Sequence, residues 1–325
     1  MIENKRQELA VEPNTAPKTN GLTRGVRHAN WFSRYVRYRH FYLFISPFFL
    51  LFAVFGLFPL LFSFCLSFVN WNGLTAMRWV GLQNFRLMLG DEMLGTALWN
   101  TLIIGLLYIP PMLVMAFLLA QLLNAKWLQL KAFWRAAVFL PCVTPMVVIS
   151  IVFSLIFSSE KGILNYVLSV IHILPVPWLT SEQWSKTSIA ILVIWRWTGY
   201  NMILMTAGLQ GIPVETYEAA AIDGANSFQR MMNVTVPLMM PTFRFCILLS
   251  LLGTMYMFDE IFVLTNGGGP GTSSLNVGMY LFDLAFQDFK FGYASCVAYT
   301  IAAVVLIVTL AVNRLNRSQE KEFVS

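Results

Sequence analysis

The chain has 325 residues, of which 57% are hydrophobic and only 12% are charged, and its mean hydropathy is +0.64. An ordinary soluble domain carries about twice that charged fraction, so too few polar residues remain to cover a water-soluble particle of this size. The composition therefore excludes a soluble enzyme of ordinary architecture, a disordered chain and a small disulfide scaffold. It predicts a protein that is embedded largely in lipid.

Six apolar segments follow one another along the chain, and each is long enough to cross a bilayer as a helix. A crossing of about 30 Å of hydrocarbon needs roughly 20 apolar residues. The six segments are 41–68, 93–125, 136–159, 188–209, 238–264 and 291–313. Arg196 interrupts the fourth, and Arg244 and the pair Asp259-Glu260 lie near the two ends of the fifth. We predict an all-α polytopic membrane protein with six transmembrane helices, the first of them retained because it is longer than the apolar core of a signal peptide.

Six prolines lie inside these predicted spans, and each removes a backbone donor and bends its helix. Together they favour a bundle that opens and bends. They are Pro47, Pro59, Pro110, Pro111, Pro141 and Pro145.

The basic residues divide unequally between the two sides of the predicted bundle. One side, which includes both termini, carries sixteen Lys and Arg residues, and the other carries five. Positive residues concentrate on the cytoplasmic side of membrane proteins, so both termini are predicted to be cytoplasmic. Residues 1–40 then form a basic N-terminal segment and 316–325 a cytoplasmic tail. The net charge of +6 is explained in this way without a nucleic-acid partner.

The cysteines and histidines give no sign of a metal or disulfide framework. The four cysteines stand in apolar segments at no motif spacing, which is typical of small core residues. The three histidines are scattered along the chain. We therefore expect neither a metal nor a cofactor bound by this chain.

The connection between the fourth and fifth spans, 211–230, has the pattern of two short helices. Pro213 suits a first helical position, and Gly224 supplies the left-handed residue that ends a helix. Asn226, followed three residues later by Gln229, is typical of a capping box that opens the second helix. Three consecutive alanines, 219–221, leave one helix flank nearly bare, which favours close approach of another protein over a helix lying on lipid headgroups.

Ordered motifs in and around this connection resemble a known family of transporters. Within it stand Glu218-Ala219-Ala220 and Asp223-Gly224-Ala225, and beyond it stands Pro237, followed by Pro241. Together these residues resemble the EAA loop of the membrane subunits of ABC importers. The flanking motifs are similar to the carbohydrate-uptake branch, of the maltose permease type. They are GLQNF at 81–85, AGLQGIP at 207–213, FD at 258–259, LTNGGGP at 264–270 and FGYAS at 291–295.

The resemblance implies a permease bundle of the MetI-like type over 41–315, with a cytoplasmic coupling loop at 211–236. In that family the loop seats in a partner ATPase, so the expected coupling residues here are Glu218, Ala219, Ala220, Asp223, Gly224 and Ala225. The chain contains no G-x-x-x-x-G-K-[ST] phosphate-binding sequence, so it is expected to be a transport subunit and not an enzyme. ATP and Mg would be bound by the partner subunits.

The resemblance also implies the rest of the assembly. We expect a sister permease subunit, two ATPase subunits and an extracytoplasmic solute-binding protein, in the cytoplasmic (inner) membrane of a bacterium. The transported solute would be a sugar or an oligosaccharide, and no nucleic acid would take part.

Nine residues are candidates for the substrate path. The resemblance implies seven of them, and we add Asn201 and Tyr256 because aromatic faces and amide or hydroxyl groups suit a sugar. The seven are Cys142, Met146, Arg196, Trp197, Tyr200, Ser250 and Thr254. A charge inside a membrane is costly and faces a cavity or a partner, so Arg196 attracts an acidic sugar or pairs with a carboxylate. That carboxylate would be Asp259, Glu260 or one on the sister subunit.

Other transport or membrane functions remain open at the level of the sequence. One is an ion-coupled secondary transporter, although the chain shows no internal repeat and its carboxylates Asp259 and Glu260 stand near a helix end. Another is a membrane scaffold or receptor without transport. A third, within the same class, is an ABC importer permease for glycerol phosphate or another polar solute.

Overall fold

The computed structural model describes residues 39–125 and 127–322. The predicted basic segment 1–40 therefore lies outside the described residues except for its last two, as do the last three residues of the predicted tail. The described residues divide into two compact units with the boundary between Pro59 and Leu60.

The described chain is built almost entirely of helices. Through the first half, α1 is an apolar helix that contains a π turn, Ala53–Leu57, and almost all its side chains are exposed. The helices of this half are α1 His40–Leu66, α2 Gln83–Leu89, α3 Glu92–Asn124, α4 Lys131–Val143, α5 Met146–Ile156 and α6 Ile163–Val170. A two-residue antiparallel pairing of β1 Val69–Asn70 with β2 Arg78–Trp79 follows α1.

The second half contains α7, the candidate span with the largest buried share, and the connection singled out by sequence. Its helices are α7 Ser185–Gln210, α8 Val214–Ile222, α9 Ser227–Tyr256, α10 Asp259–Leu264, α11 Val277–Phe282 and α12 Phe291–Glu322. Helix α9 contains a π turn at Met231–Thr235, and α11 runs into another at Asp283–Gln287.

Helices stand at the position of each of the six predicted spans, and the all-α membrane architecture is confirmed. In the described residues α1, α3, α7 and α9 are long and apolar enough to cross a membrane. The bent pair α4 and α5 passes the same test only when its two helices are taken together, and the apolar part of α12, Phe291–Ile307, is shorter than the other candidates.

Two of the predicted spans differ from the structure in their continuity. The third, 136–159, is not one helix, because α4 and α5 meet at an angle of 93°. The cause is Pro145, which disfavours the helical conformation of the residue before it, and Thr144 is extended with φ −75° and ψ 136°. The fifth, 238–264, ends at Tyr256, and Met257 with ψ 119° turns the chain before α10 begins.

The π turns of α1 and α9 each precede a proline. A proline ring clashes with the carbonyl four residues earlier in a regular helix. For Pro59 that carbonyl belongs to Phe55, and for Pro237 it belongs to Asn233, and both lie inside the π turns. The wider turn relieves the clash, so these helices continue through their prolines where α4 and α5 do not.

The core of the second unit lies where α3 and α7 pack along each other, with α4 and α9 against them. Ile104, Met112 and Met202 are fully buried there. Gly199 of α7 faces the backbone carbonyl of Val138 in α4, so close that any Cβ would overlap it. A glycine is required at this crossing because only a bare backbone permits that approach.

Candidate functional site

Helix α8 of the EAA loop, residues 211–236, ends in a Schellman motif. The amide of Gly224 donates to the carbonyl of Ala221 at 3.1 Å, and the amide of Ala225 donates to the carbonyl of Ala220 at 3.0 Å. Gly224 has φ +80°, the left-handed conformation that this motif needs. The predicted helix stop at Gly224 is confirmed, whereas Pro213 stands one position before the helix and not at its first residue.

The second helix of the loop starts with the predicted capping box, which is also confirmed. The side-chain oxygen of Asn226 accepts from the amide of Gln229 at 2.8 Å, and the amide of Asn226 donates to the side chain of Gln229 at 2.9 Å. The hydroxyls of Tyr217 and Thr235 lie 3.1 Å apart and join α8 to α9. These contacts fix the angle between the two helices of the EAA loop.

The outer surface of the EAA loop carries small side chains and four large apolar ones, of which Ile222 and Phe228 are the most exposed. Glu218, Ala219 and Asp223 are exposed, while Ile222 is 87% exposed and Phe228 is 66% exposed. A group of exposed apolar side chains on one short element, unlike single scattered ones, marks a surface for a partner. The loop is therefore a short, internally fixed element with an uncovered apolar surface.

A central cavity of about 320 Å³ lies between α3, α7, α9 and the start of α10. Six of the nine predicted substrate-path residues line it, all of them from α7 and α9. They are Arg196, Trp197, Tyr200, Asn201, Ser250 and Tyr256.

The other three predicted residues do not line the cavity. Thr254 lies behind the wall, where its hydroxyl is 2.8 Å from that of Tyr108 and donates to the carbonyl of Ser250 at 2.8 Å. Cys142 and Met146 flank the 93° break between α4 and α5, and a straight third helix would have carried both along one face.

Sequence reasoning did not identify seven of the residues that line the cavity, which are Tyr108, Met112, Val193, Leu249, Gly253, Met257 and Phe258. The Tyr108 hydroxyl donates to the carbonyl of Ser250 at 2.7 Å, which ties α3 to α9. The sequence signal that could have identified Tyr108 was its position as a lone tyrosine just before Pro110-Pro111 in an otherwise apolar span. Phe258 gave none, because its position depends on the break at the end of α9.

The intramembrane arginine has a carboxylate partner. The Nη1 atom of Arg196 lies 3.4 Å from Oε1 of Glu260, with the two side chains only 16% and 9% exposed. The guanidinium also lies 5.2 Å from the ring centroid of Trp197, a cation–π distance. Of the two roles open for Arg196, pairing with a carboxylate is the one that the structure shows.

A second polar cluster joins the start of α3 to α11 and α12. One oxygen of Asp91 accepts from the amide of Leu94 at 3.0 Å, and the other accepts from the hydroxyls of Tyr280, at 2.5 Å, and Tyr293. Burial raises the pKa of Asp91, but the hydrogen bonds from Tyr280, Tyr293 and Leu94 outweigh it, so the pKa lies below its usual value. Asp91 is thus an ionised cap that holds three elements together.

Residues that might hold a metal do not come together in the part of the chain that the structure describes. No group of three His, Cys, Asp or Glu side chains with suitable geometry occurs there.

Comparisons with known proteins agree with this architecture. The family model described as "binding-protein-dependent transport system inner membrane component" matches residues 114–323. The lactose transport system permease protein LacF of Rhizobium radiobacter is 38% identical over 272 residues, which are 82% of this chain and 91% of the relative. The arabinooligosaccharides transport system permease protein AraP of Bacillus subtilis is 33% identical over 86% of this chain and 90% of its own length.

A solved structure has the same fold. A bacterial ABC transporter involved in the import of the acidic polysaccharide alginate superposes with a TM-score of 0.76, at 23% identity, over 88% of this chain and 98% of that chain. The family match, the two relatives and this fold agree with the resemblance drawn from the EAA loop and its flanking motifs. This chain therefore belongs to the family of inner membrane components of binding-protein-dependent transport systems, among its carbohydrate-uptake permeases.

Proposed function

We propose that this chain is the membrane-spanning subunit through which an ABC importer passes a sugar or a short oligosaccharide into the cytoplasm. The observation that carries the proposal is the central cavity. It lies between the long helices and combines aromatic rings with amide and hydroxyl groups.

The cavity has the chemistry of a sugar site. The rings of Trp197, Tyr200 and Tyr256 offer flat apolar faces to the C–H faces of a pyranose. Asn201 is 3% exposed, and its Oδ1 atom has no hydrogen-bond partner among the described residues. A buried amide oxygen without a donor is costly, and a sugar hydroxyl in the cavity supplies that donor.

Energy for transport comes from partner subunits in this proposal, because the chain has no phosphate-binding loop of its own. The EAA loop is the surface on which an ATPase subunit docks. Ile222 and Phe228 serve as apolar anchors there, and Ala219 permits close contact. ATP binding in the partners then favours one conformation of the bundle because it binds that conformation more tightly.

The EAA loop faces the cytoplasm in this proposal. Four crossings, namely α1, α3, the bent pair α4–α5 and α7, separate residue 39 from the loop, so the loop and the N-terminus share a side. That side carries sixteen of the basic residues against five on the other, which is the cytoplasmic pattern. The proposed location is the inner membrane of a bacterium.

The remaining partners are a sister permease subunit and an extracytoplasmic solute-binding protein. The bacterial alginate transporter was crystallised in complex with an alginate pentasaccharide-bound periplasmic protein, and it shares the fold of this chain. The family description itself names binding-protein-dependent transport. Of the described residues that line the cavity, only Arg196 is cationic and it is already paired, which disfavours a glycerol phosphate as the solute.

Uptake by the assembled importer tests the proposal. Proteoliposomes with ATP inside and the sugar-loaded binding protein outside are expected to accumulate radiolabelled sugar. Tyr200→Ala, which removes a cavity ring, is expected to lower the initial rate by about tenfold or more. The matched control is Tyr166→Ala, an exposed tyrosine on α6 outside the cavity, and it is expected to transport normally. Equal uptake by both variants would refute the cavity as the sugar path.

A further inference from the structure

We infer that the central cavity accepts uncharged saccharides and rejects acidic ones, and that Glu260 is the residue that sets this charge selectivity. The inference rests on the proposed function, because it concerns which sugars pass through the same cavity. Its basis is the pairing of the one cationic side chain of the wall.

Arg196 alone would make the wall attractive to a carboxylate. A guanidinium in a partly dry cavity binds an anion strongly, often with two parallel hydrogen bonds. Here its Nη1 atom already lies 3.4 Å from Glu260, and its face lies over Trp197. The positive charge is therefore compensated from within the chain before any substrate arrives.

The charged side chains around the cavity disfavour the binding of an acidic sugar. Asp259, which is exposed, lines the wall beside Glu260, so the described lining carries one cation and two carboxylate side chains. A uronate that enters must lose its hydration and meet these carboxylates, and the Coulomb repulsion adds to the cost of desolvation. An uncharged sugar bears neither cost.

Two polar atoms of the wall are buried without a hydrogen-bond partner among the described residues, Oδ1 of Asn201 and Nε of Arg196. A sugar hydroxyl can serve both, as a donor to the first and as an acceptor from the second. A carboxylate on the substrate has no proton to offer to Oδ1 of Asn201. The Ser250 side chain at the wall both donates and accepts.

The size of the cavity limits the length of oligosaccharide that contacts its wall at one time. Its volume of about 320 Å³ lies at the lower end of the roughly 300–1,000 Å³ range of small-molecule sites. The wall therefore contacts a small section of an oligosaccharide at a time. Selectivity against charge then applies to each ring that passes, so a single uronate in a chain is enough to stop it.

A binding measurement on the assembled importer without its binding protein tests this inference, because it removes the selectivity of the binding protein. The probes are lactose and the same disaccharide with C6 of its galactose oxidised to a carboxylate, each followed by thermal stabilisation of the complex. The wild type is expected to bind lactose at least about tenfold more tightly than the acid. Glu260→Gln frees Arg196 and is expected to narrow that ratio by about tenfold.

Two further variants keep the result interpretable. Glu160→Gln changes an exposed carboxylate away from the cavity and is expected to leave the ratio unchanged. If Glu260→Gln fails to assemble, the double variant Arg196→Met/Glu260→Gln removes both charges together and is expected to keep the preference for lactose. Equal binding of the two sugars by the wild type, or an unchanged ratio in Glu260→Gln, would overturn the inference alone. Failure of the wild type to bind either sugar would overturn the proposed function and this inference with it.

Discussion

Replacing Gly224 with larger residues isolates the contribution of the EAA loop to coupling. Gly224 ends α8 with φ +80°, and a Cβ built at this position meets nothing within 4 Å. A substitution therefore strains the backbone without a steric clash. An L-residue in the left-handed conformation costs about 1–2 kcal/mol, and the lower entropy of the unfolded chain offsets about 0.4–1 kcal/mol of that for alanine.

The net cost for Gly224→Ala is about 1 kcal/mol, which reduces the population of the native turn about fivefold. Asparagine tolerates the left-handed conformation better, and a β-branched valine tolerates it worse. We expect sugar uptake per ATP hydrolysed, measured in proteoliposomes, to fall in the order Gly, Asn, Ala, Val. The bundle itself is expected to fold normally, because the site is exposed.

The control for this series is Gly95→Ala. Gly95 is also exposed with open space around its Cβ position, but it lies inside α3 without a positive φ, so uptake per ATP is expected to stay unchanged. Full uptake per ATP in Gly224→Val would show that the shape of the EAA loop does not matter for coupling. The reasoning would then be refuted.

Three further predictions concern the bundle that holds the site. Gly199→Ala forces a Cβ onto a carbonyl of α4 and is expected to destabilise the purified protein by about 1–3 kcal/mol, seen as a lower thermal midpoint that Gly95→Ala does not share. Arg196→Met leaves Glu260 buried without its cation and is expected to lower the free energy of unfolding by about 3–5 kcal/mol. Most of this loss is expected to be recovered in the double variant Arg196→Met/Glu260→Gln. Additive losses in the two single variants and the double variant would contradict the pairing. Asp91→Asn is expected to lower the thermal midpoint at pH 7 and to lose this deficit progressively as the pH falls below 3.8. The hydrogen bonds hold the folded pKa of Asp91 below its unfolded value of 3.8, so its stabilisation is present above that value and is lost as the pH falls through the folded pKa.

The long helices were predictable from the sequence because their signal is local and strong. The bounds of α3 and α7 differ from the predicted spans by at most three residues, since an uninterrupted apolar run of this length has few other solutions in lipid. The cap of Gly224 and the capping box of Asn226 were predictable for the same reason. Each depends on residues within five positions of one another.

The break between α4 and α5 shows where such reasoning stops. Pro141 and Pro145 indicate a bend, but the same residue type in α1 and α9 is absorbed by a π turn. Whether a proline bends, widens or breaks a helix depends on what packs around it, which the local sequence does not contain.

The partner of Arg196 was also beyond sequence. The sequence offered three candidate partners for Arg196, namely Asp259, Glu260 and a carboxylate on the sister subunit, and gave no means of choosing among them. The turn at Met257 sets the direction in which α10 starts, and this places Glu260 toward Arg196 and leaves Asp259 exposed. One backbone conformation outside any regular element decides which carboxylate is paired.

Site-directed cross-linking from the EAA loop tests the central claim most directly, namely that this loop carries the motion of an ATPase into a sugar-conducting bundle. Cysteines are introduced at Ala219 in the EAA loop or at Leu89, 86% exposed on α2, after exposed Cys65 is replaced by serine. We expect Ala219→Cys to cross-link to the ATPase subunit in the assembled importer and Leu89→Cys, one crossing away from the N-terminus, to give no such product. An Ala219→Cys variant that is labelled by impermeant reagents from outside the cell, or that never cross-links to the ATPase subunit, would contradict the account.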